Sequence, residues 1–305
     1  MNTVHILKEY IDALRDAGIL TGSTIPEELL QRGIECLTYD TRTLRENALF
    51  ICKGAHFKEE YLRDALSCGA VAYVAEQQHS ADAPCILVSD IRYSLVVLGQ
   101  LFYDHVTDRL TSVGITGTKG KSTTAYYVRY ILNDWLRAQD RPECAILSSI
   151  DNYDGKSIEE SHITTPEVLE LYQHFENAYE CGISHLVMEA SSQALKYGRV
   201  RGIRFDVGAF LNIGTDHISP IEHPDFEDYF ASKLKIFDSC RVGCVNTDAK
   251  HAERVIEYAK DRCELITFGS HESDTVSCRH VEKREDGLYF TIVSPRYNGG
   301  DDREI

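Results

Sequence analysis

Gly114-Ile115-Thr116-Gly117-Thr118-Lys119-Gly120-Lys121-Ser122 constrains this chain more than any other stretch. It follows an apolar-leaning segment, Leu110 to Ile115, and opens a helix-like run from Thr123 to Leu136. A strand, a glycine-rich turn and a helix in that order form a phosphate cradle. The glycines let backbone N–H groups face inward, and the helix N-terminus adds positive potential. Lys121 can reach the β- and γ-phosphates, and Ser122 is placed to ligate Mg²⁺. Ile115 stands where the commonest form of this loop has its first glycine, so the pattern is G-x-T-G-T-x-G-K-S. A glycine-rich surface turn would explain neither the Lys-Ser ending nor the strand-then-helix setting. A nucleoside triphosphate is the expected ligand, with the loop residues Gly117, Thr118, Lys119, Gly120, Lys121, Ser122 and Thr123 around it.

The 305 residues suit two domains or a tight three, each long enough for its own core. With 43% apolar and 26% charged residues, the chain is neither disordered nor fibrous in composition. No apolar run approaches the ~18 residues of a membrane span. Met1 to Arg15 reads as an amphipathic helix and not a signal peptide, so a cytoplasmic location is expected. The formal charge of -16 argues against a nucleic-acid binder, which needs a basic footprint. A phosphorylated substrate needs only a local positive site. The ten cysteines contain no C-x-x-C pair and read as buried reduced thiols.

Residues 1–108 read as a small α/β unit: helices at 4–15, 59–67 and 91–105, with strands at 34–39, 49–52, 70–75 and 85–88. The polar segment Thr107-Asp108-Arg109 marks the boundary. From 109 to 305 strands and helices alternate, which favours a mostly parallel sheet with helices on both faces. Strands are expected at 111–116, 144–147, 185–188, 207–212, 243–246 and 265–268. Helices are expected at 121–136, 166–181, 225–239 and 249–260. Residues 275–283 and 288–293 flank Glu285-Asp286-Gly287, a hairpin signal.

Four clusters fall at strand ends or just past them, where open α/β sheets bind ligands. In Thr164-Thr165-Pro166, spacing alone makes Thr165 a helix N-cap. Glu189-Ala190-Ser191-Ser192 puts a carboxylate where a Mg²⁺ ligand beside such a loop belongs. Asn212-Ile213-Gly214-Thr215-Asp216-His217 is a plausible nucleotide or metal edge. In Tyr229 to Phe237, Phe230, Leu234 and Phe237 share a helical face, and Lys233 beside it reads from spacing as an ordinary lysine.

Taken in order, G-x-T-G-T-x-G-K-S, T-T-P, M-E-A-S-S, N-I-x-x-D-H and Y-x-x-x-K resemble the Mur ligase family of ATP-dependent amide ligases. Within it the resemblance is to the tripeptide synthetases, through Met188 to Leu195, Gly198-Arg199-Val200 and Phe205-Asp206. Asp40-Thr41-Arg42 resembles the D-S-R motif of the family's uridine-diphosphate-binding domain, and residues 48–54 its following strand and loop.

The resemblance implies ATP and Mg²⁺ as cofactors, with Asn212 joining the loop at ATP. Ser122 and Glu189 would hold one Mg²⁺ and His217 a second. Lys121, His217 and Lys233 would be catalytic. Lys233 matches the lysine that is carbamylated in this family, and as a carbamate it would be an anionic ligand or positioner at the second metal. Thr41, Arg42, Thr164, Thr165, Ser191 and Arg199 match substrate-holding positions. The implied substrates are UDP-N-acetylmuramoyl-L-alanyl-D-glutamate and an amino acid, joined by a monomeric enzyme.

Departures from the family pattern are Ser219 to His223 in place of D-Y-H-G, Gln193 for His, Thr41 for Ser and Lys119 for Asn. The resemblance also implies a third, C-terminal domain of about 150 residues, and this chain stops at the hairpin before it. A folylpolyglutamate- or cyanophycin-type ligase would share the central motifs, but Asp40-Thr41-Arg42 argues against both. A non-catalytic nucleotide-binding homologue is the reading from another class.

Overall fold

The computed structural model describes residues 3–54, 57–79, 83–216, 218–219, 222–294 and 303–304. They fall into two units. The first comprises residues 1–109, 166–179 and 197–202, and the second comprises the rest.

In the first unit, chain order runs α1 (Leu7–Asp16), β1 (Leu20–Ser23), β2 (Cys36–Thr38), β3 (Ala48–Ile51), α2 (Glu59–Ser67), β4 (Ala70–Ala75), β5 (Cys85–Val88) and α3 (Ile91–Phe102). The sheet order is β1-β5-β4-β3-β2, parallel except for β1 on β5. The parallel strands are nearly continuous apolar runs, as strands covered on both faces must be. Sequence periodicity does not show β1. Its Leu-Thr-Gly-Ser is an edge segment, alternately half-buried and exposed, with no apolar run to mark it. Asp90 caps α3 by accepting from the N–H groups of Arg92 and Tyr93. This helix ends three residues before the expected position, and Asp104 and His105 then take positive φ, which breaks the spiral. The 166–179 segment packs on α3, where Tyr103 and Tyr172 stack with centroids 5.9 Å apart.

The second unit holds β6 (Thr111–Thr116), α4 (Lys121–Arg137), β7 (Ala145–Leu147), β8 (Asp151–Tyr153), β9 (Ile158–Glu160), the end of α5 (Val168–Glu180), β10 (His185–Glu189), α6 (Ser192–Lys196) and β11 (Phe205–Phe210). Then come α7 (Phe226–Leu234), β12 (Cys240–Asn246), α8 (Ala252–Ala259), β13 (Glu264–Gly269), β14 (Val276–Lys283), β15 (Leu288–Val293) and β16 (Arg303–Glu304). The sheet order is β16-β15-β14-β13-β12-β11-β6-β10-β7-β8-β9. From β14 to β7 every neighbouring pair is parallel, and antiparallel hairpins finish both edges. The parallel α/β centre and the 276–293 hairpin match the sequence expectation.

The β8–β9 hairpin has no counterpart in that expectation, because its strands are short and polar. The helix expected over 225–239 is α7 followed by a 3-10 turn over 235–239. The helix expected from Pro166 starts at Val168, so Thr165 is not its cap.

The strand order reverses at β6. The chain goes from β6 to β7 and back to β10 on one side, then to β11 and onward on the other. Ligands bind at such a switch point, beyond the carboxyl ends of the strands. Register aligns those ends, with Glu189 beside Ile115 and Phe210 beside Thr116. A core of Ile115, Ala125, Leu136, Cys144, Ile146 and Val187 fixes α4 against β6, β7 and β10.

Gly114 in β6 lies under Phe205, and a Cβ there would come 2.9 Å from the ring. Phe205 is fully buried and has nowhere to go. Gly114→Ala is expected to destabilise the second unit by about 1–3 kcal/mol, the usual range for overpacking. Urea unfolding followed by circular dichroism measures it, and an unchanged midpoint would contradict this packing.

Candidate functional site

The loop after β6 is held in shape by its neighbours. Gly120 has φ +83° and directly precedes α4, a conformation that a side chain would strain. Asn212, just past β11, straps the loop. Its Oδ1 accepts from the N–H groups of Thr118 (3.1 Å) and Lys119 (3.0 Å), and its Nδ2 donates to the Lys119 carbonyl (3.0 Å). Asn212 therefore binds the loop backbone, a structural task that the sequence expectation of ATP contact did not include. Thr118 Oγ1 accepts from Gly214 N–H at 2.8 Å and pairs with Tyr229 Oη at 3.0 Å.

Two ammonium groups converge inside this loop. Lys121 Nζ donates to the Gly117 carbonyl at 3.1 Å, and Lys233 Nζ donates to the same oxygen at 2.9 Å. Lys233 is only 2% exposed. Burial, and then the neighbouring Lys121 charge, push its pKa down to about 7. Burial also lowers Lys121, against the pull of the Glu189 carboxylate. Lys233 therefore departs from the ordinary surface lysine that its spacing suggests.

Glu189 ends β10 at 1% exposure. Its Oε1 accepts from Ser149 N–H (2.8 Å) and Ser149 Oγ (3.2 Å). Ser149 Oγ lies 3.0 Å from Ser122 Oγ. Glu189 and Ser122 are thus joined through one hydroxyl, beyond the ends of three neighbouring strands. A buried carboxylate and a hydroxyl are hard oxygen donors of the kind Mg²⁺ takes, so this set fits that ion. Among the described residues there is no cluster of three His, Cys, Asp or Glu suited to a metal. His217 lies outside the described residues.

Ser149 is the residue that sequence reasoning missed. Its position just past β7 was the available signal, given the rule for strand ends.

Residues 115–302 match the Mur ligase middle domain. The chain belongs to the Mur ligase family. It is 40% identical over 275 residues to a UDP-N-acetylmuramoyl-L-alanyl-D-glutamate–L-lysine ligase of Enterococcus faecalis, covering 89% of this chain and 53% of that one. The Streptococcus agalactiae protein of the same name is 44% identical over 271 residues, covering 86% and 54%. A UDP-N-acetylmuramyl-tripeptide synthetase of Bifidobacterium longum is 42% identical over 242 residues, covering 78% and 46%. This Mur ligase chain therefore spans about half the length of the curated relatives it matches. Among solved structures, a UDP-N-acetylmuramoyl-L-alanyl-D-glutamate–2,6-diaminopimelate ligase superposes with TM-score 0.79 at 20% identity, over 99% of this chain and 59% of that one. That likeness is one of fold.

The remaining candidate residues of this Mur ligase chain have varied settings. Thr165 Oγ1 donates to the Glu189 carbonyl at 2.8 Å and accepts from Ser191 N–H at 3.0 Å, so it braces the end of β10. Ser191 Oγ accepts from Ala194 N–H at the start of α6. Thr164 is half-buried, while Thr123 and Lys119 are exposed. Lys119 Nζ stands 3.9 Å from Asp216.

Thr41, Arg42 and Arg199 lie in the first unit. Arg42 forks onto Asp40, with Nη2 to Oδ2 at 2.6 Å, and its side-chain hydrogen bonds hold that carboxyl below the usual range. Arg199 pairs with Glu167 at 2.6 Å.

Lys233 gives this site a testable pH signature. Below pH 7 its ammonium is charged in both states, and the folded protein bears the full cost of burying it. Between pH 7 and the ordinary lysine value of ~10.4, the unfolded chain binds the extra proton, so native stability rises with pH. Lys233→Met is expected to gain about 1–4 kcal/mol on the wild type at pH 6–7 relative to pH 10. Melting in CO₂-free buffer across that range measures the difference, and a pH-independent gap would refute it.

Proposed function

We propose that this chain carries the nucleotide and muramoyl-peptide sites of an ATP-dependent ligase. The reaction adds the third residue to UDP-N-acetylmuramoyl-L-alanyl-D-glutamate in peptidoglycan precursor synthesis, in the cytoplasm. The observation that carries this reading is the joint placement of Lys121, Lys233, Ser122 and Glu189 at the switch point of the sheet, in a chain of this family.

A carboxylate is a poor electrophile, so the acid must be activated. The substrate carboxylate attacks the γ-phosphorus of ATP, ADP leaves, and an acyl phosphate forms. The amine of the incoming amino acid then attacks the acyl carbon, loses a proton, and inorganic phosphate departs. The first step brings two anions together. Lys121 and the loop N–H groups bind the phosphates and offset that repulsion. Ser122 and Glu189 would hold Mg²⁺, which when bound supplies further positive charge against the phosphate oxygens. His217 is proposed at a second such ion. Ser191, Thr164, Thr165, Thr41, Arg42 and Arg199 are proposed to position the muramoyl peptide.

Carbamylation of Lys233 fits its setting. Only a neutral amine adds CO₂, and the buried Lys233 is partly neutral near pH 7. A carbamate there would turn a like-charge contact with Lys121 into an attraction.

L-Lysine is proposed as the added amino acid, because the relatives at 40% and 44% identity carry that amine in their names. The test mixes the protein with ATP, Mg²⁺, UDP-N-acetylmuramoyl-L-alanyl-D-glutamate and an equimolar pool of L-lysine, diaminopimelate and other amino acids. Any product that mass spectrometry finds is expected to be heavier by one lysine residue. A diaminopimelate product would overturn the choice of amine. Lys121→Ala is expected to weaken ATP binding by this chain and to lower any turnover by about 10²–10³-fold, as loss of a transition-state charge donor does. ATP binding that ignores Lys121→Ala would overturn the nucleotide site.

A further inference from the structure

The first unit contains a cavity of about 90 Å³ lined by Lys53, Arg92, Leu95, Glu167, Val168, Tyr197 and Arg199. Three of these side chains are cationic and one is anionic, in a chain whose formal charge is -16. Glu167 bridges two of the cations. One of its oxygens pairs with Lys53 Nζ and the other lies 2.6 Å from Arg199 Nη2. Arg92 lies over the Tyr197 ring, 4.4 Å from its centroid, and Lys53 lies 4.8 Å from the centroid of Tyr39. The cavity also adjoins the start of α5 (Val168–Glu180), whose N-terminal N–H groups favour negative charge. Lys53, Glu167 and Arg199 are each about one-fifth to one-quarter exposed, so ligand can reach them while water screens them incompletely.

We propose that Glu167 is a resident anion in this cavity, which it yields to a doubly charged anionic group of the substrate as Lys53 and Arg199 change partners. The inference rests on the reading above, which already puts Arg199 at the substrate. The added element is the role of Glu167. A bound ligand must replace two ion pairs that already exist. A monoanion restores only what it displaces and gains little. A dianion also engages the excess charge of Arg92 and gains more. Glu167 thus sets an affinity threshold for every anion, and the added contact with Arg92 lets a dianion clear it where a monoanion does not. Two groups of the proposed substrate carry that charge, its diphosphate and its pair of peptide carboxylates.

Calorimetric titration tests this with the loop after β6 filled by a non-hydrolysable ATP analogue. The probes are inorganic pyrophosphate, UDP, L-alanyl-D-glutamate and, as the monoanion control, acetate. They are applied to wild type, Glu167→Gln and Glu167→Gln/Arg199→Met. In Glu167→Gln at least one dianionic probe is expected to bind about fivefold or more tightly than in wild type, the scale of two part-exposed ion pairs. Acetate is expected to gain by a similar factor while staying the weaker ligand in both proteins, and Arg199→Met to abolish the gain. Enhancement of UDP alone would assign the cavity to the diphosphate, and of L-alanyl-D-glutamate alone to the carboxylates. No dianion gaining in Glu167→Gln, or a gain that survives Arg199→Met, would overturn the proposal.

If Glu167→Gln fails to fold, Lys53→Gln in the wild-type background decides. The swap predicts a loss of less than about threefold in dianion affinity, because the lost ligand contact is offset by the lost Glu167 pair. A larger loss would show that Lys53 is not held by an exchanging partner. Should the whole muramoyl ligand bind none of the proteins while the small anions follow this order, the functional reading falls and the role of Glu167 stands.

Discussion

Two ammonium groups share the Gly117 carbonyl oxygen, and the arrangement of the loop after β6 depends on that contact. Lys121 comes from the start of α4 and Lys233 from the last turn of α7, so the carbonyl ties both helices to the loop. Each bond is favourable alone, but the like charges oppose each other, and both are partly or wholly removed from water. Lys233 answers by shedding its proton near neutrality. What remains is the charged Lys121, with the Glu189 carboxylate as its nearest counter-charge. Under the proposed function, Lys121 would exchange the Gly117 carbonyl for phosphate oxygens in a loop already shaped by Asn212 and Thr118. The surrounding acidity of the chain does not interfere, since exposed charges more than ~8–10 Å away are screened at ordinary ionic strength.

Much of this was readable from the residues. The loop announces itself because its glycines, lysine and serine are contiguous, and because the flanking strand and helix have opposite hydrophobic periods. The central parallel strands are legible for the same reason. Residues 144–147, 185–188 and 207–210 are apolar runs between polar loops. The ordered motifs then gave the family, which spacing alone did not, since Lys233 read as an ordinary lysine until its place in that order was seen.

The rest was hidden because it consists of bonds between segments far apart in sequence. Nothing local marks Asn212 as a strap on the backbone of residues 118–119, or Thr165 as a brace between Glu189 and Ser191. Thr165 shows the error most clearly. Thr-Pro is a good helix-start signal, but the helix begins three residues later, and the threonine bonds to the end of β10 instead. Ser149 joins Ser122 to Glu189 only because β7 and β10 are neighbours, a fact of topology. The short β1, β8 and β9 are hidden for a different reason: strands of three or four residues, partly or wholly exposed, have no apolar alternation to detect.

One cluster in the second unit invites a rival reading. His223 Nε2 lies 2.9 Å from Ser192 Oγ, and its Nδ1 lies 2.6 Å from Asp228 Oδ2, the order of a hydrolytic Ser-His-Asp chain. Access argues against that chemistry. A nucleophilic serine must stand open at a turn, whereas Ser192 is buried and His223 is 0% exposed. Asp228 also accepts from Lys196 at 2.7 Å, which lowers its pKa and draws its charge away from the imidazole. Lys196 in turn donates to the Glu222 carbonyl at 3.1 Å. The four side chains thus bind α6, α7 and the 222–223 segment into one polar knot. Glu189 and Ser191 lie just before α6, and Lys233 lies on α7. The knot therefore fixes the spacing between the carboxylate end of the site and its buried lysine, a distance that neither helix could set alone.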